Sequence, residues 1–488
     1  MQPAVALVTG LAALSSVADA FWRLPCRGTS GLARIDPLID PGEPSSHAHI
    51  VHGSSGFSMS SDASALLAGD CTSCGVRQDK SAYWAPALYF IDEDGDAEMV
   101  DEVGGLLAYY LLYGEGVEAF PEGFRMIAGD PFIRSFDWPI PDPPKSEWTG
   151  AQASQKALAQ KALGFNCLNY AETPEPSLGR HFLPNKTFLD EHCTDGVRFE
   201  LMFPSCWNGK DTDAEDHKSH MAYPSLVMDG TCPEGYETRV VSLFFETIWN
   251  TYAFKDRNGY FALSNGDPTG FGYHGDFMHG WESGVLEQAV KQCTNPSGMV
   301  EDCPVFELQT EIEQLLCNFD MPDILKSEDL KKCKGGLPND ILVEWGPEYA
   351  FPIKYANGKQ PTSAKGVPDS SASAEPIIDL GSLAGHVMVE TSASSSSSST
   401  SSTPTWTPTP VTSYVEGAVT QQVVYVEQEI VVLVDGQGNP LGTQTGGLET
   451  VSTSYSTTTE VVETVVTIPT APPKKHHGHK RHGHGHVH

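Results

Sequence analysis

What this chain is short of narrows its reading first. Basic residues are scarce, with 30 Lys and Arg against 63 Asp and Glu and a formal charge of -33. A chain of that sign repels a polyphosphate partner, which argues against nucleic acid, and it stays soluble. Long apolar runs are missing as well. The nearly uncharged stretch Ala4 to Ala18 falls short of the ~20 residues that cross a bilayer, so no membrane span is expected. Cysteine is absent after Cys333, and Asn185-Lys186-Thr187 is the single N-glycosylation sequon, a surface position if it is used. The acidity itself is an ordinary solvated-surface signature and says little about a substrate.

Residues 1–20 close with Ala18-Asp19-Ala20, a small-x-small pattern that reads as a signal peptide and starts the mature chain at Phe21. No Lys or Arg precedes its apolar part. Eleven cysteines lie between Cys26 and Cys333. In an exported protein they read as disulfides, and the odd count leaves one over. Cys71-Thr72-Ser73-Cys74 has the spacing of half a zinc ribbon or of a redox pair, but no second such pair exists, and export points to a disulfide knot.

Residues 21–351 mix aromatics, cysteines and turn residues densely enough to bury a large core. Residues 352–488 change character. Ser392 to Ser402 is almost entirely serine, and Pro404, Pro408 and Pro410 stand among threonines, the composition of a disordered, O-glycosylated stalk. Within it, valine-rich Gln421 to Asp435 followed by Gly436-Gln437-Gly438-Asn439-Pro440 predicts a weak hairpin near 421–450 or a self-association segment. The end, 474–488, carries seven of the 17 histidines. Imidazoles on a flexible peptide take up borderline divalent metals adventitiously.

The core reads as mainly β. Gly196 to Phe203 and Thr238 to Trp249 are β-branched and aromatic. Helix spacing occurs over Ser283 to Gln292, with Ser283 placed to cap, and over Ser154 to Leu163. The expected architecture is a β-sandwich or jelly roll with long disulfide-pinned loops, a few short helices and a disordered C-terminal tail.

Chemistry concentrates in three histidine-bearing segments. On a strand, residues i and i+2 share a face, so His47 and His49 would present two imidazoles side by side, while His52 would point the other way. A glutamate placed as in cupins is missing. Cys206-Trp207-Asn208-Gly209-Lys210-Asp211, with Asp216-His217-Lys218-Ser219-His220 behind it, combines an aromatic face with amide, carboxylate and imidazole groups, a mixture that binds sugars. It reads equally as a solvated loop pinned by Cys206. The glycine-rich run Asn265 to Phe277 holds His274 and Asp276 in the i, i+2 relation, where the carboxylate is expected to orient the ring. Glu246 falls between Phe244 and Ile248 on one strand face, where desolvation would raise its pKa; pairing with a buried arginine such as Arg239 is the alternative.

Taken in order, Asp36-Pro37, Ser46-His47-Ala48-His49, Cys71-Thr72-Ser73-Cys74, Asp79-Lys80-Ser81, Tyr83-Trp84, Phe124 to Gly129, Cys167-Leu168-Asn169-Tyr170, Cys206 to Lys210, Asp216 to Pro224 and Gly266-Asp267-Pro268-Thr269-Gly270 with His274-Gly275-Asp276-Phe277 form a specific series. Over roughly residues 21 to 310 it resembles a large family of secreted, mainly fungal proteins carried as a domain of unknown function. Some members are joined to WSC or carbohydrate-binding modules. That association points to cell-wall polysaccharide as partner, by analogy and not by chemistry. It implies matched positions at His47, His49, Trp207, Lys210, Asp216, His217, His220, His274 and Asp276, without assigning them roles.

The leading expectation is an extracellular carbohydrate-active protein that cleaves a wall glycan. Its acid-base carboxyls would come from Asp216, Glu246 and Asp276, with His274 assisting, and Trp207, Asn208, Lys210, His217, His220, His47 and His49 would bind substrate. One alternative is a non-catalytic wall protein that binds glycan or metal. Another is a zinc or copper centre built from His47, His49 and one or more of His217, His220 and His274. The enzymatic and metal readings require segments far apart in sequence to meet, whereas a passive wall protein does not.

Overall fold

In this computed structural model the described residues are 20–350 and, beyond them, only the strand segments 421–422, 430–434, 440–445 and 457–458. In chain order the core strands are β1 (Phe21–Cys26), β2 (Gly31–Ala33), β3 (His49–Gly53), β4 (Ala82–Pro86), β5 (Leu88–Asp92), β6 (Ala97–Met99), β7 (Glu102–Leu111), β8 (Arg125–Gly129) and β9 (Leu163–Cys167). They continue with β10 (Val197–Met202), β11 (Cys206–Trp207), β12 (Met221–Ala222), β13 (Thr238–Arg239), β14 (Ser242–Trp249), β15 (Gly259–Leu263), β16 (His274–Met278) and β17 (Lys332–Cys333).

Two five-stranded antiparallel sheets form the frame, in the orders β1-β7-β14-β10-β9 and β2-β3-β4-β16-β8. They face each other, as the expected sandwich does. Tyr83 of β4 meets Phe245 of β14 with ring centroids 5.7 Å apart, and the Tyr83 and Tyr110 hydroxyls join across the interface at 2.6 Å. The sheets approach closely at Gly275 on β16, where a Cβ would stand 2.5 Å from the Leu201 side chain and 3.3 Å from Phe245, so a larger residue there would force these neighbours to shift.

Side-chain alternation decides what the second sheet shows on its two faces. Ile50, Tyr83, Ala85 and Phe277 point into the main core, whereas Val51, Trp84, Ile127 and Met278 point outward into a smaller cluster closed by Ile35, Leu38, Phe57 and Phe319. His49, His274 and Asp276 share the parity of that outward set. The polar site therefore sits on the outer face, roofed by loops.

The helices are short. Among the described residues these are α1 (Ala63–Leu67), α2 (Gln155–Lys161), α3 (Lys186–His192), α4 (Val285–Gln292) and α5 (Glu311–Leu315). Ser154 caps α2 through the Ala157 N–H. Ser283 does not cap α4; Gly284 occupies that position in the left-handed region, and the Ser283 hydroxyl bonds Glu122 instead. Among the described residues, no helix is long and apolar enough to cross a membrane.

Five disulfides pin the loops: Cys26–Cys74, Cys71–Cys317, Cys167–Cys193, Cys206–Cys232 and Cys293–Cys303. Cys333 is the one left over. Cys71 and Cys74 bond different partners, so they form neither a redox pair nor a zinc ligand pair.

Beyond residue 350 the described residues form short strands. There Ile430–Val434 pairs antiparallel with Pro440–Thr445. The expected signal peptide through Asp19, the serine-rich stretch and the histidine-rich end lie outside the described residues.

Candidate metal centre and cavity

His49 opens β3 and His274 opens β16. His49 faces Pro86 in the β3–β4 ladder. The β4–β16 register pairs Asp276 with Trp84, and carried two residues further it sets His274 against the same proline from the other side. Strands two apart are separated by roughly 9–10 Å. Two imidazoles leaning over a compact proline close that gap, and their ring centroids are 5.9 Å apart.

His47 precedes β3 instead of lying on it, which corrects the expectation that both histidines share a strand. Its ring still lies beside His49, with centroids 4.2 Å apart. His52 does point to the opposite side, against Gly28 O at 2.9 Å and the Glu102 carboxylate at 3.3 Å.

His47, His49 and His274 are all buried, and one ring nitrogen from each can be chosen so that the three lie within 4.8 Å of one another. His47 Nε2 is 3.1 Å from His274 Nε2. Two nitrogens bound at 2.0–2.1 Å to one tetrahedral ion stand about 3.3 Å apart. Outer contacts fix the rings in turn. His274 Nδ1 lies 3.1 Å from the Gly272 carbonyl, an acceptor only, so Nδ1 carries the proton and Nε2 keeps its lone pair. His47 Nδ1 lies 3.0 Å from the Ser46 hydroxyl.

His49 has no such support. Both of its ring nitrogens are buried without a well-formed hydrogen bond, although the Ile35 backbone lies near enough to favour the charged ring slightly. Burial pulls all three rings far toward the neutral form. Neighbouring rings reinforce this at His47 and His49, and His274 is brought down to about 4. Neutral imidazole is the form that ligates metal.

A cavity of about 310 Å³ opens beside the cluster. His47 and His274 line it, together with Asp36, Asp40, Asp130, Asp216, Lys218 and Asp276. Asp276 is 1 % exposed and neither of its oxygens has a hydrogen-bond partner. Burial, reinforced by Asp36, holds its carboxyl well above the usual range; Lys218 opposes the shift. The expectation that Asp276 orients His274 is not met, because the Gly272 carbonyl does that. Asp36 accepts the Leu38 and Ile39 N–H groups, and burial pushes it up to about 6. Arg134 also borders the cavity, but its guanidinium is committed to the carbonyls of Pro131, Ile133, Asn265 and Glu344.

The other expected site residues are placed as follows. Asp216 borders the cavity and also closes its own turn through the Lys218 and Ser219 N–H groups. His217 bonds Asp213 and the Leu38 carbonyl, and His220 bonds the Arg125 carbonyl and packs on Phe124. Neither joins the three-histidine cluster, so a centre drawing on His217 or His220 is not what the chain builds. Trp207 donates to Asp211 O and Asn208 to the Asp211 carboxylate, while Lys210 is exposed beside Asp211. None of these three lines the cavity; they brace a turn next to the Cys206–Cys232 bridge.

Glu246 belongs to the other sheet. It contacts Arg198 at 3.3 Å and accepts from the Tyr109 hydroxyl at 2.8 Å. Burial raises its pKa as expected, against the opposing Arg198. Its partner is Arg198, not Arg239, whose guanidinium donates to Met228 O and Gly230 O. It does not line the cavity. Asn185 is exposed and its carbonyl caps α3.

Sequence reasoning passed over Asp130 and Arg134, and over Ile341, Leu342, Glu344, Tyr349 and Ala350, all of which line the cavity. Lys218 was seen only as part of a motif; its ammonium bonds the carbonyl of Gly129, the residue that faces His274 across the ladder.

Fold and site together define a disulfide-bonded β-sandwich protein with a buried imidazole cluster opening on an acidic cavity. The chain belongs to the family described as domain of unknown function (DUF1996), whose model matches residues 36–281, half of the sequence. No curated protein matches it, and no solved structure does.

Proposed function

We propose that the chain is an exported carbohydrate-active protein whose chemistry is organised by one divalent cation, zinc or copper, held by His47, His49 and His274. The observation that carries this reading is His49, a buried imidazole with no well-formed hydrogen bond at either nitrogen, beside two other neutral rings. A protein leaves such a group unpaired only at a cost of about 1–3 kcal/mol, and a shared cation removes it. Three protein ligands with cavity space beyond them fit a catalytic site better than a closed structural one.

A cation bound there supplies a Lewis acid toward a water or a substrate hydroxyl. The chain's own groups do the rest. His274 keeps its Nε2 lone pair aimed inward through the Gly272 carbonyl. Asp276 offers two free oxygens to the hydroxyls of a bound saccharide. Asp216 and Asp276 are the two expected acid-base carboxyls that border the same space, and the Lys218 charge acts on Asp276. Five disulfides favour an oxidising compartment, and wall polysaccharide is the substrate class that the export reading and the sugar-type lining favour together.

The test is release of soluble oligosaccharide from purified chitin, β-1,3-glucan and cellulose by zinc- or copper-loaded protein. Product should appear from at least one polymer and vanish with chelator and in His274→Ala. A chain that holds its cation yet releases nothing from any of them is a binding protein of the wall, not an enzyme on it.

A further inference from the structure

The stretch Ile341 to Ala350 lies beyond the family match, yet Ile341, Leu342, Glu344, Tyr349 and Ala350 form one wall of the cavity. It is tied down at several points. Arg134 donates to Glu344 O at 3.0 Å, the Glu344 N–H reaches Gly266 O at 3.0 Å, and the Ala350 N–H reaches Phe132 O at 2.7 Å. The Tyr349 hydroxyl stands 3.0 Å from each oxygen of Asp130.

On this fixed stretch two large rings face water. Trp345 is 45 % exposed and Tyr349 is 51 % exposed, against near-complete burial of Trp22, Trp84, Trp249 and Trp281. Each ring is backed by another, Trp345 by Tyr260 at 5.4 Å and Tyr349 by Phe132 at 5.7 Å. Backed rings on a rigid segment are pre-organised platforms, because little freedom is left to lose on binding.

The chemistry around them selects the occupant. A pyranose presents a C–H face that stacks on an aromatic ring and hydroxyls that need acceptors. Beside the rings lie the carboxyls of Asp130 and Glu344, and deeper in the cavity the unpartnered oxygens of Asp276. An apolar protein segment would leave those acceptors unmatched. A uronate would meet like charge, since the carboxylates of Asp40, Asp130, Asp216 and Glu344 outnumber the cations Arg134 and Lys218 around the cavity.

We propose that Ile341 to Ala350 is the docking platform of the site. A neutral or amine-bearing glycan strand stacks on Trp345 and Tyr349, which direct one of its units into the cavity. The inference rests on reading that cavity as a saccharide site and adds the class of strand and the residues that grip it.

Titration calorimetry on the full chain, with hexamers of N-acetylglucosamine, glucosamine, β-1,3-glucose, β-1,4-glucose and galacturonate as probes, tests it. At least one neutral or amino hexamer should bind saturably and the galacturonate hexamer should not. Trp345→Ala and Tyr349→Ala should each weaken binding tenfold or more, while Tyr349→Phe, which keeps the ring, stays within about threefold of the parent. Bound cation and melting temperature should be unchanged in all three, since neither ring touches the histidines. Failure of all four non-acidic hexamers, preference for galacturonate, or binding that survives both alanine changes overturns the proposal. A parent chain that binds none of the hexamers while holding its cation defeats this platform alone, whereas a parent chain that takes up no cation defeats the metal centre and leaves the platform measurable.

Discussion

His47 and His274, 227 positions apart in sequence, bring their Nε2 atoms to 3.1 Å. Gly272 fixes the lone pair of His274 toward His47, so the contact is either a hydrogen bond donated by His47 or two lone pairs facing one cation. His49 separates the two cases, since a hydrogen bond between the other two rings leaves both of its own nitrogens unmatched.

His49→Leu should therefore split stability from binding. Without metal the variant should be as stable as the parent or more so, because it removes buried polar atoms that cost about 1–3 kcal/mol when unpaired. With metal, the parent alone should gain, by about 2.7 kcal/mol at a free ion concentration one hundred times its dissociation constant. Thermal melts of both chains, with and without zinc, read the difference.

Glu246→Ala should destabilise by about 1–3 kcal/mol, because it removes the buried acceptor of the Tyr109 hydroxyl and one of the two carboxylates around Arg198, Glu200 keeping the other in place, and it should leave bound metal unchanged. Urea unfolding with metal analysis of the folded protein checks this. Unchanged stability with lost turnover would return Glu246 to the acid-base pair expected from the sequence.

Asp79 carries a pH signature remote from the histidines. Burial raises it from 3.8 to about 6, against hydrogen bonds from Ser81 and Tyr83. The folded state then keeps a proton that the unfolded chain releases between those values. Stability accordingly falls as pH climbs through that window, by about 3 kcal/mol in full. Asp79→Asn should gain on the parent by that order between pH 3.5 and pH 7 in urea unfolding. Parallel pH curves for the two proteins would contradict it.

Alkylation under denaturing, non-reducing conditions should add one label per chain, on Cys333, and peptide mapping should find the other ten cysteines in the five bridges described. Labels on Cys71 and Cys74 would restore the redox-pair alternative.

The sandwich was legible because β-branched runs such as Val197–Met202 and Ser242–Trp249 announce strands locally. His274 and Asp276 were legible as a pair because alternation alone puts i and i+2 on one face. What stayed hidden depends on register. Nothing near His49 in sequence shows that Pro86 will stand between it and His274. Nor does the composition of Ile341 to Ala350, which builds no strand, show that it returns as a cavity wall. Trp207, Asn208 and Lys210 misled for the opposite reason. A tryptophan among amide and charged groups describes a sugar site and a braced turn equally well, and only the Asp211 hydrogen bonds decide between them.

The most direct test of the three-histidine centre is equilibrium dialysis of zinc or copper against the full chain, with His476, His477, His479, His482, His484, His486 and His488 replaced by alanine so that the tail contributes none. One ion per chain, lost in His274→Ala and in His49→Leu, is the predicted result. A chain that retains no ion, or that keeps its ion after both substitutions, would contradict it.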